Sequence, residues 1–464
     1  MPPKFGTSGL RGLVTDLTPE LIWAYTQAFL ASCSAGESLY VGCDLRPSSP
    51  RIAADVIAAA RASGVAVCDC GALPTPALAL AAMAAGAKAV MVTGSHIPAD
   101  RNGLKFYLPS GEITKTDEAA ISAAYAAGQR PAPAATDAAL RPVDAGQAYL
   151  QRYVSAYGGQ ALQGLRIGIY EHSSVARDLL GQIFAGLGAQ VVALARSDSF
   201  IPVDTEAVSP ESRALFADWC RTHRLDALVS TDGDADRPML TDARGRMIPG
   251  DVLGVLTARA VGANQVCTPV SSNSMLAQMP GFRALHLTRI GSPYVIAAME
   301  QALAEDKEAR VVGFEANGGF LLGFTAQGPA GPIAPLMTRD CTLPMVAPLV
   351  AARAAGKSLA DLVADLPPRY TASGRLTETP VEASGGFLAG LSADAEARAA
   401  FFAPAAIAAV DQTDGLRVTF DDGAIVHLRP SGNAPEFRVY TEAELPGRAQ
   451  GMLEDYLARV RAAI

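Results

Sequence analysis

Positive charge is scarce in this chain: 38 lysines and arginines face 46 aspartates and glutamates, for a net charge of −8. No basic stripe is available to displace phosphate counterions, which excludes nucleic-acid binding as the main task. The seven cysteines (Cys33, Cys43, Cys68, Cys70, Cys220, Cys267, Cys341) contain no CxxC pair, and Cys68-Asp69-Cys70 has one residue too few between its thiols for a zinc knuckle. They are expected to be free, buried thiols in a reducing cytoplasm. Met1-Pro-Pro-Lys-Phe-Gly lacks the apolar stretch of a signal peptide. The longest apolar runs, such as Pro76–Ala87, fall short of the about 20 residues that span a bilayer. The expected location is cytoplasmic, with no membrane partner. Aromatics are few at 6% and charged residues make up 18%, yet hydrophobic residues reach 50%, which excludes a largely disordered chain.

The 464 residues suffice for about two to four domains. Short buried-strand patterns at Leu39–Cys43, Val65–Cys70 and Ala89–Thr93 alternate with an alanine-rich helix over Arg51–Ala62 and a helix opened by Pro74-Thr-Pro76. That alternation predicts a parallel sheet covered on both faces, with ligands beyond the carboxyl ends of its strands. The stretch 128–145, rich in Pro, Ala and Asp, reads as a connector. A second unit follows, with strands at Leu165–Tyr170, Gln190–Leu194 and Leu225–Ser230 around a helix over Val175–Leu187. A third has strands near Gln265–Pro269 and Ala309–Gly313. Each unit ends a strand in a polar loop that contains glycine, which suggests repeated domains of similar build. The last hundred residues differ: three strands (Leu416–Phe420, Ala424–Leu428, Phe437–Thr441) precede a helix over Arg448–Ile464, the pattern of a small α+β domain. Boundaries are therefore expected at 1–150, 151–248, 249–368 and 369–464.

Four loops could carry chemistry. Asp232-Gly-Asp234-Ala-Asp236-Arg237 sets three carboxylates at i, i+2 and i+4 after an apolar strand, a repulsion that a hard divalent cation such as magnesium relieves. It is no EF-hand, because Arg237 and Ala243 stand at the sixth and twelfth positions. Thr93-Gly-Ser95-His96-Ile-Pro98 places a serine beside a histidine at a strand end, a nucleophile next to a base, and Lys105 follows ten residues later. Glu315-Ala-Asn317-Gly-Gly319 offers polar groups that can read sugar hydroxyls. Arg429-Pro-Ser431-Gly432-Asn433 together with Arg438 holds the inventory of a phosphate cradle. Familiar nucleotide motifs fail: Ala351 stands where a P-loop through Gly356-Lys357-Ser358 needs glycine, and Val191 where GxGxxG after Gly186-Leu-Gly188 needs its third.

Taken in order, with Phe5-Gly-Thr7-Ser8-Gly9-Leu-Arg11-Gly12 at the start, these loops resemble those of the α-D-phosphohexomutase family, the phosphomannomutases and phosphoglucomutases. The resemblance spans nearly the whole chain. It implies three similar α/β domains with mixed sheets sandwiched by helices, plus a smaller C-terminal α+β domain, around a central cleft. It implies phosphoryl transfer between hexose 6-phosphate and hexose 1-phosphate through phospho-Ser95 and a hexose 1,6-bisphosphate, which also serves as activator. Ser95, Asp232, Asp234 and Asp236 would hold magnesium. Arg11, His96 and Lys105 would assist catalysis, with His96 and Lys105 both open as the proton carrier. Arg237, Arg289, Glu315, Asn317, Arg429, Ser431, Gly432, Asn433 and Arg438 would bind substrate. The partners implied are sugar phosphates, and the protein is expected as a monomer or homodimer. Phosphomannomutase is the expected activity, with phosphoglucomutase or phosphoglucosamine mutase as alternatives.

The chain departs from the family pattern at four places. Gly94 and Ile97 replace Ala and Asn of Thr-Ala-Ser-His-Asn-Pro, and Asn317-Gly-Gly319 replaces Ser-Gly-His. Asn433-Ala434 replaces Thr-Glu, and Arg289-Ile-Gly291-Ser292 stands where a Lys/Arg-x-Gly-His occurs. A magnesium-dependent phosphatase with Asp232 as nucleophile is a distant alternative, because its DxDx[TV] signature meets Asp236 at the fifth position. A non-catalytic sugar-phosphate sensor would have no use for Ser95 and all three aspartates.

Overall fold

The computed structural model describes residues 3–6, 9–33, 36–131, 138–430 and 436–464. Three successive units share one plan. In the first, Ser38–Cys43 lies parallel to Ala66–Ala72 and to Lys88–Val92. In the second, Arg166–His172 lies parallel to Gln190–Arg196 and Ala227–Thr231. In the third, Gln265–Pro269 lies parallel to Ala284–Thr288 and Val311–Phe314. The central strands are buried on both faces, which is why segments such as Lys-Ala-Val-Met-Val carry almost unbroken apolar runs. Helices such as Thr75–Ala84, apolar nearly all round, are buried against them.

The sheets are mixed rather than parallel throughout. In each unit one parallel strand turns back through a short loop into an antiparallel neighbour. Lys88–Val92 returns as Arg101–Leu108, Ala227–Thr231 as Pro238–Leu240, and Val311–Phe314 as Phe320–Leu322. Loops this short are hairpin connections; a parallel return would need a crossover of a dozen or more residues. The Ser95, Asp232 and Glu315 loops are these three turns.

The stretch expected to be a plain connector is partly structured. Leu140–Pro142 adds a parallel strand to the first sheet, and Asp144 caps the helix Ala145–Tyr157 by accepting from the Gln147 N–H at 3.3 Å. That helix spans position 150 and packs on helices of both the first and second units. Its Tyr149 hydroxyl donates to Asp340 Oδ1 of the third unit at 2.5 Å, and its Tyr153 hydroxyl donates to Asp340 Oδ2. One apolar cluster accordingly runs through all three units, from Tyr40 through Ile169 and Leu253 to Leu366.

The fourth unit is an antiparallel sheet in the order Tyr370–Leu376, Phe437–Ala443, Ile425–Pro430, Leu416–Phe420, Ile407–Asp411. The sequence pattern shows the inner three strands. The two edge strands are largely exposed and lack the apolar signal. Helix Pro446–Ala463 covers one face through Leu453, Tyr456 and Val460. The third and fourth units meet at Glu442, which accepts from the Ser274 N–H at 2.9 Å and pairs with Arg369 at 2.7 Å. They meet again at Asp414, which accepts from the Ile290 N–H at 2.8 Å and from Arg429 Nε at 2.9 Å.

Beside that contact, His427 is buried with Nε2 2.5 Å from the Asp414 carbonyl oxygen. Burial pushes its pKa down to about 4, against about 6.5 in an unfolded chain. The unfolded state therefore binds this proton more readily, so the stability the neutral ring contributes is present above pH ~6.5 and is lost as pH falls toward 4. Between pH 7 and pH 5 this linkage amounts to about 2 kcal/mol. In thermal melts, His427→Gln should lose less of its Tm over that interval than the unmodified chain; parallel losses would show that this ring is not the titrating group.

Candidate active site

Ser95 follows the strand Lys88–Val92 and takes a left-handed backbone conformation, φ +56°. For a residue with a side chain this is a strained geometry that its surroundings must enforce. Thr93 Oγ1 accepts from the Ser95 N–H at 2.8 Å and donates to Asp44 at 2.7 Å. Asp44 also holds the Arg46 guanidinium at 2.5 Å. Arg46 then donates to the carbonyl oxygens of Ser95 (3.0 Å), Ile97 and Arg101 (3.1 Å). The Phe200 ring of the second unit covers that guanidinium at 4.1 Å. Gly94 leaves the room for this: a Cβ there would lie 2.6 Å from Arg46 Cζ. The departure at Gly94 is the space Arg46 occupies.

The Ser95 hydroxyl donates to Asp232 Oδ2 at 2.6 Å, across 137 positions of sequence. His96 Nδ1 lies 3.4 Å from Ser95 Oγ. Burial, reinforced by the charge of Arg237, pushes the His96 pKa down to about 3, so the ring is neutral.

Asp232, Asp234 and Asp236 are all buried, and their ligand oxygens lie within 4.8 Å of one another. Burial and the two neighbouring carboxylates push Asp232 up to about 8. Burial opposes ionisation of Asp234 as well, but the Lys105 ammonium holds it below the ordinary carboxylate range. Lys105 Nζ lies 2.5 Å from both Asp234 Oδ2 and Asp236 Oδ2. Thr75, at the start of a first-unit helix, donates its hydroxyl to Asp234 Oδ2 at 2.6 Å and its N–H to the Asp234 carbonyl at 2.9 Å. Arg339 of the third unit lies 2.8 Å from Asp236 Oδ2.

The Oδ2 atoms of Asp234 and Asp236 are thus engaged by protein groups, while both Oδ1 atoms are buried without a hydrogen-bond partner. An all-oxygen set of three carboxylates and a serine hydroxyl, with two orphaned oxygens, fits a hard divalent cation.

Around this centre, Arg11 donates to the Thr93 carbonyl at 3.0 Å, and burial pushes its pKa down to about 10. Arg237 Nε lies 3.8 Å from Asp236 Oδ1 and 4.0 Å from Asp232 Oδ2. Glu315 is buried, with Oε2 3.7 Å from Arg339 Nη1, and the Asn317 side chain accepts from the Gly319 N–H at 2.9 Å. The Asn317 carbonyl accepts from Thr205 Oγ1 at 3.2 Å, on a second-unit loop whose Asp204 and Glu206 also interact electrostatically with Arg237 and Arg438. Arg429 is engaged by Asp414. Arg289 donates to the Thr413 carbonyl at 3.3 Å and so ties the third unit to the fourth. Ser431, Gly432 and Asn433, like Thr7 and Ser8 of the opening motif, lie outside the described residues.

Sequence reasoning passed over Asp44, Arg46, Thr75, Glu112, Asp204, Glu206 and Arg339. Asp44 and Arg46 directly follow the strand Ser38–Cys43, the same strand-end position that marked the Ser95 and Asp232 loops. Thr75 stands in the Pro-Thr-Pro segment that had been read only as a helix opening.

The comparisons agree with this geometry. Models of the phosphoglucomutase/phosphomannomutase family match residues 2–131 (alpha/beta/alpha domain I), 147–245 (domain II), 249–370 (domain III) and 389–460 (C-terminal domain). The chain belongs to that family. A phosphomannomutase of Sinorhizobium fredii is 46% identical over 469 residues, covering 99% of this chain and 98% of the relative. A phosphomannomutase of Salmonella muenchen is 43% identical over 464 residues, covering 99% and 96%. A crystal structure of a phosphoglucomutase/phosphomannomutase family protein from Burkholderia thailandensis superposes with a TM-score of 0.79 at 22% identity, covering 98% of this chain and 97% of that one, and shares the fold.

Gly94→Ala would drive a methyl group into Arg46 and disturb the hold on the Ser95 loop. Overpacking of this kind costs about 1–3 kcal/mol. Tm should fall by a few degrees, and turnover of a sugar phosphate should fall about tenfold or more as Ser95 loses its registry with Asp232. Unchanged turnover in Gly94→Ala would show that Arg46 does not set the serine's geometry.

Proposed function

We propose that this chain is a phosphohexomutase that interconverts hexose 6-phosphate and hexose 1-phosphate, with mannose phosphate as its preferred substrate. The observation that carries the reading is the 2.6 Å contact between Ser95 Oγ and Asp232, inside a cluster of three buried aspartates. It joins a nucleophile to a cation site, the pair that phosphoryl transfer needs. Full-length relatives at 46% and 43% identity carry the name phosphomannomutase, which supports the sugar preference. In this reading the phosphoserine loop belongs to 1–150, the metal loop to 151–248, the sugar loop to 249–368 and the phosphate-binding loop to 369–464.

In the resting enzyme Ser95 carries the phosphoryl group. A free hydroxyl of the bound sugar phosphate attacks that phosphorus in line, and the bond to Ser95 Oγ breaks as the bond to the sugar oxygen forms. The product is a hexose 1,6-bisphosphate, which is also the activator that recharges Ser95. The proton of the attacking hydroxyl passes by way of Lys105 or His96 to Ser95 Oγ as that oxygen leaves; His96 Nδ1 lies 3.4 Å from Ser95 Oγ. Lys105 Nζ, 2.5 Å from both Asp234 Oδ2 and Asp236 Oδ2, steadies those carboxylates. Ser95, Asp232, Asp234 and Asp236 would hold magnesium, which when bound neutralises charge on the phosphoryl oxygens. Arg11 and Arg237 add positive charge around the same group. Glu315 and Asn317 take sugar hydroxyls. The bisphosphate then turns over in the cleft, and Ser95 takes back the other phosphate. Its remote phosphate is held by Arg429 and Arg438, together with Ser431, Gly432 and Asn433.

Intact-mass measurement of freshly purified protein should show a species heavier by one phosphoryl group, depleted on incubation with hexose 6-phosphate. Ser95→Ala should abolish that species and turnover together. Assays of mannose 1-phosphate, glucose 1-phosphate and glucosamine 1-phosphate with a trace of bisphosphate should rank mannose first. Full activity in Ser95→Ala would sink the mutase reading.

A further inference from the structure

Arg339 takes no part in the scheme above, yet it stands where the three α/β units meet. It lies on the strand Leu336–Asp340, and its side chain is 4% exposed. Each of three carboxylates around it comes from a different unit. Nε lies 3.6 Å from Glu112 Oε1 of the first unit, Nη2 lies 2.8 Å from Asp236 Oδ2 of the second, and Nη1 lies 3.7 Å from Glu315 Oε2 of the third. Glu112 is itself fixed from the third unit, accepting from Ser292 Oγ at 2.8 Å and Thr338 Oγ1 at 3.0 Å. A planar guanidinium can face carboxylates along several edges at once, whereas an ammonium is a point charge. The sugar loop is shaped around this side chain. A Cβ on Gly319 would lie 2.7 Å from Arg339 Cδ and 2.8 Å from Cγ, atoms near the backbone with little freedom to yield.

We propose that Arg339 is a positioning residue that registers the sugar loop against the metal loop. By engaging Asp236 Oδ2 it leaves Oδ1 turned to the cation. By facing Glu315 from its other edge it fixes how far the carboxylate that reads the sugar stands from that cation. One side chain therefore sets both cation affinity and the choice among sugar epimers. The sugar half of this inference rests on the mutase reading. The cation half rests on the aspartate cluster alone.

The test compares the full-length chain with Arg339→Lys and Gly319→Ala. The first keeps the charge without the fork; the second keeps the arginine and all three carboxylates but displaces them relative to one another. Mn²⁺ binding is measured by electron paramagnetic resonance in the absence of sugar. Steady-state kcat and KM are measured with mannose 1-phosphate and with glucose 1-phosphate, and thermal melts verify folding. Both variants should bind Mn²⁺ at least threefold more weakly. Their KM for the preferred epimer should rise at least fivefold, and the ratio of kcat/KM between the epimers should move toward one. If Arg339→Lys does not fold, Gly319→Ala decides. Unchanged Mn²⁺ affinity in a folded variant overturns the proposal, and so does weakened Mn²⁺ binding with an unchanged epimer ratio. If the unmodified chain shows no mutase turnover, the functional reading fails, and the Mn²⁺ comparison alone then decides for or against Arg339.

Discussion

Three carboxylates whose ligand oxygens all lie within 4.8 Å of one another repel strongly in a buried site, where charge is poorly screened. Their own loop supplies Arg237, which stays at 3.8–4.0 Å from Asp236 and Asp232. The close countercharges arrive from elsewhere: Lys105 from the first unit and Arg339 from the third. The hydrogen bonds of Thr75 and Ser95 also come from the first unit. The aspartate loop is therefore stable only where the three units already touch. The candidate site and the assembly of the units depend on the same contacts.

The serine loop shows the complementary device. Its conformation at Ser95 is strained and is held from behind by one buried arginine whose carboxylate partner lies two residues away. Such a support holds the Ser95 loop through its backbone carbonyl, while the Ser95 hydroxyl itself faces Asp232. The covering ring of Phe200 belongs to the second unit, so the serine's backing, like the metal loop, is completed only by contact between units.

Much of the site was legible in the sequence because each reactive loop is local: Ser95, Asp232 and Glu315 each end a short buried strand, and a run of apolar residues closing on Gly, Asp and Ser is visible without a structure. What remained hidden was contributed at a distance. Arg46 lies 49 positions from Ser95, and Arg339 about a hundred from Asp236; neither pairing has a local signature. The glycines at 94 and 319 were visible as departures from the family pattern, but their cause was not: each is the space taken by one of these arginines. The mixed sheets escaped the periodicity because a strand buried on both faces has the same composition whichever way its neighbour runs. Arg289, expected to bind substrate, donates to the Thr413 carbonyl of the fourth unit, a pairing 124 positions away that no local pattern announces.

The helix Ala145–Tyr157 sits between the first and second units in sequence, yet two of its tyrosine hydroxyls end on Asp340 of the third. Each of those buried hydrogen bonds, once broken, leaves a group whose desolvation costs about 1–3 kcal/mol. Similarity of build among the three units invites the picture of interchangeable modules, each free to be exchanged with its counterpart in a related protein. The tyrosine–aspartate joint opposes that. A chimera whose third unit lacked the aspartate would leave both hydroxyls without it, so the two segments are coupled in the fold even though nearly two hundred residues of chain separate them.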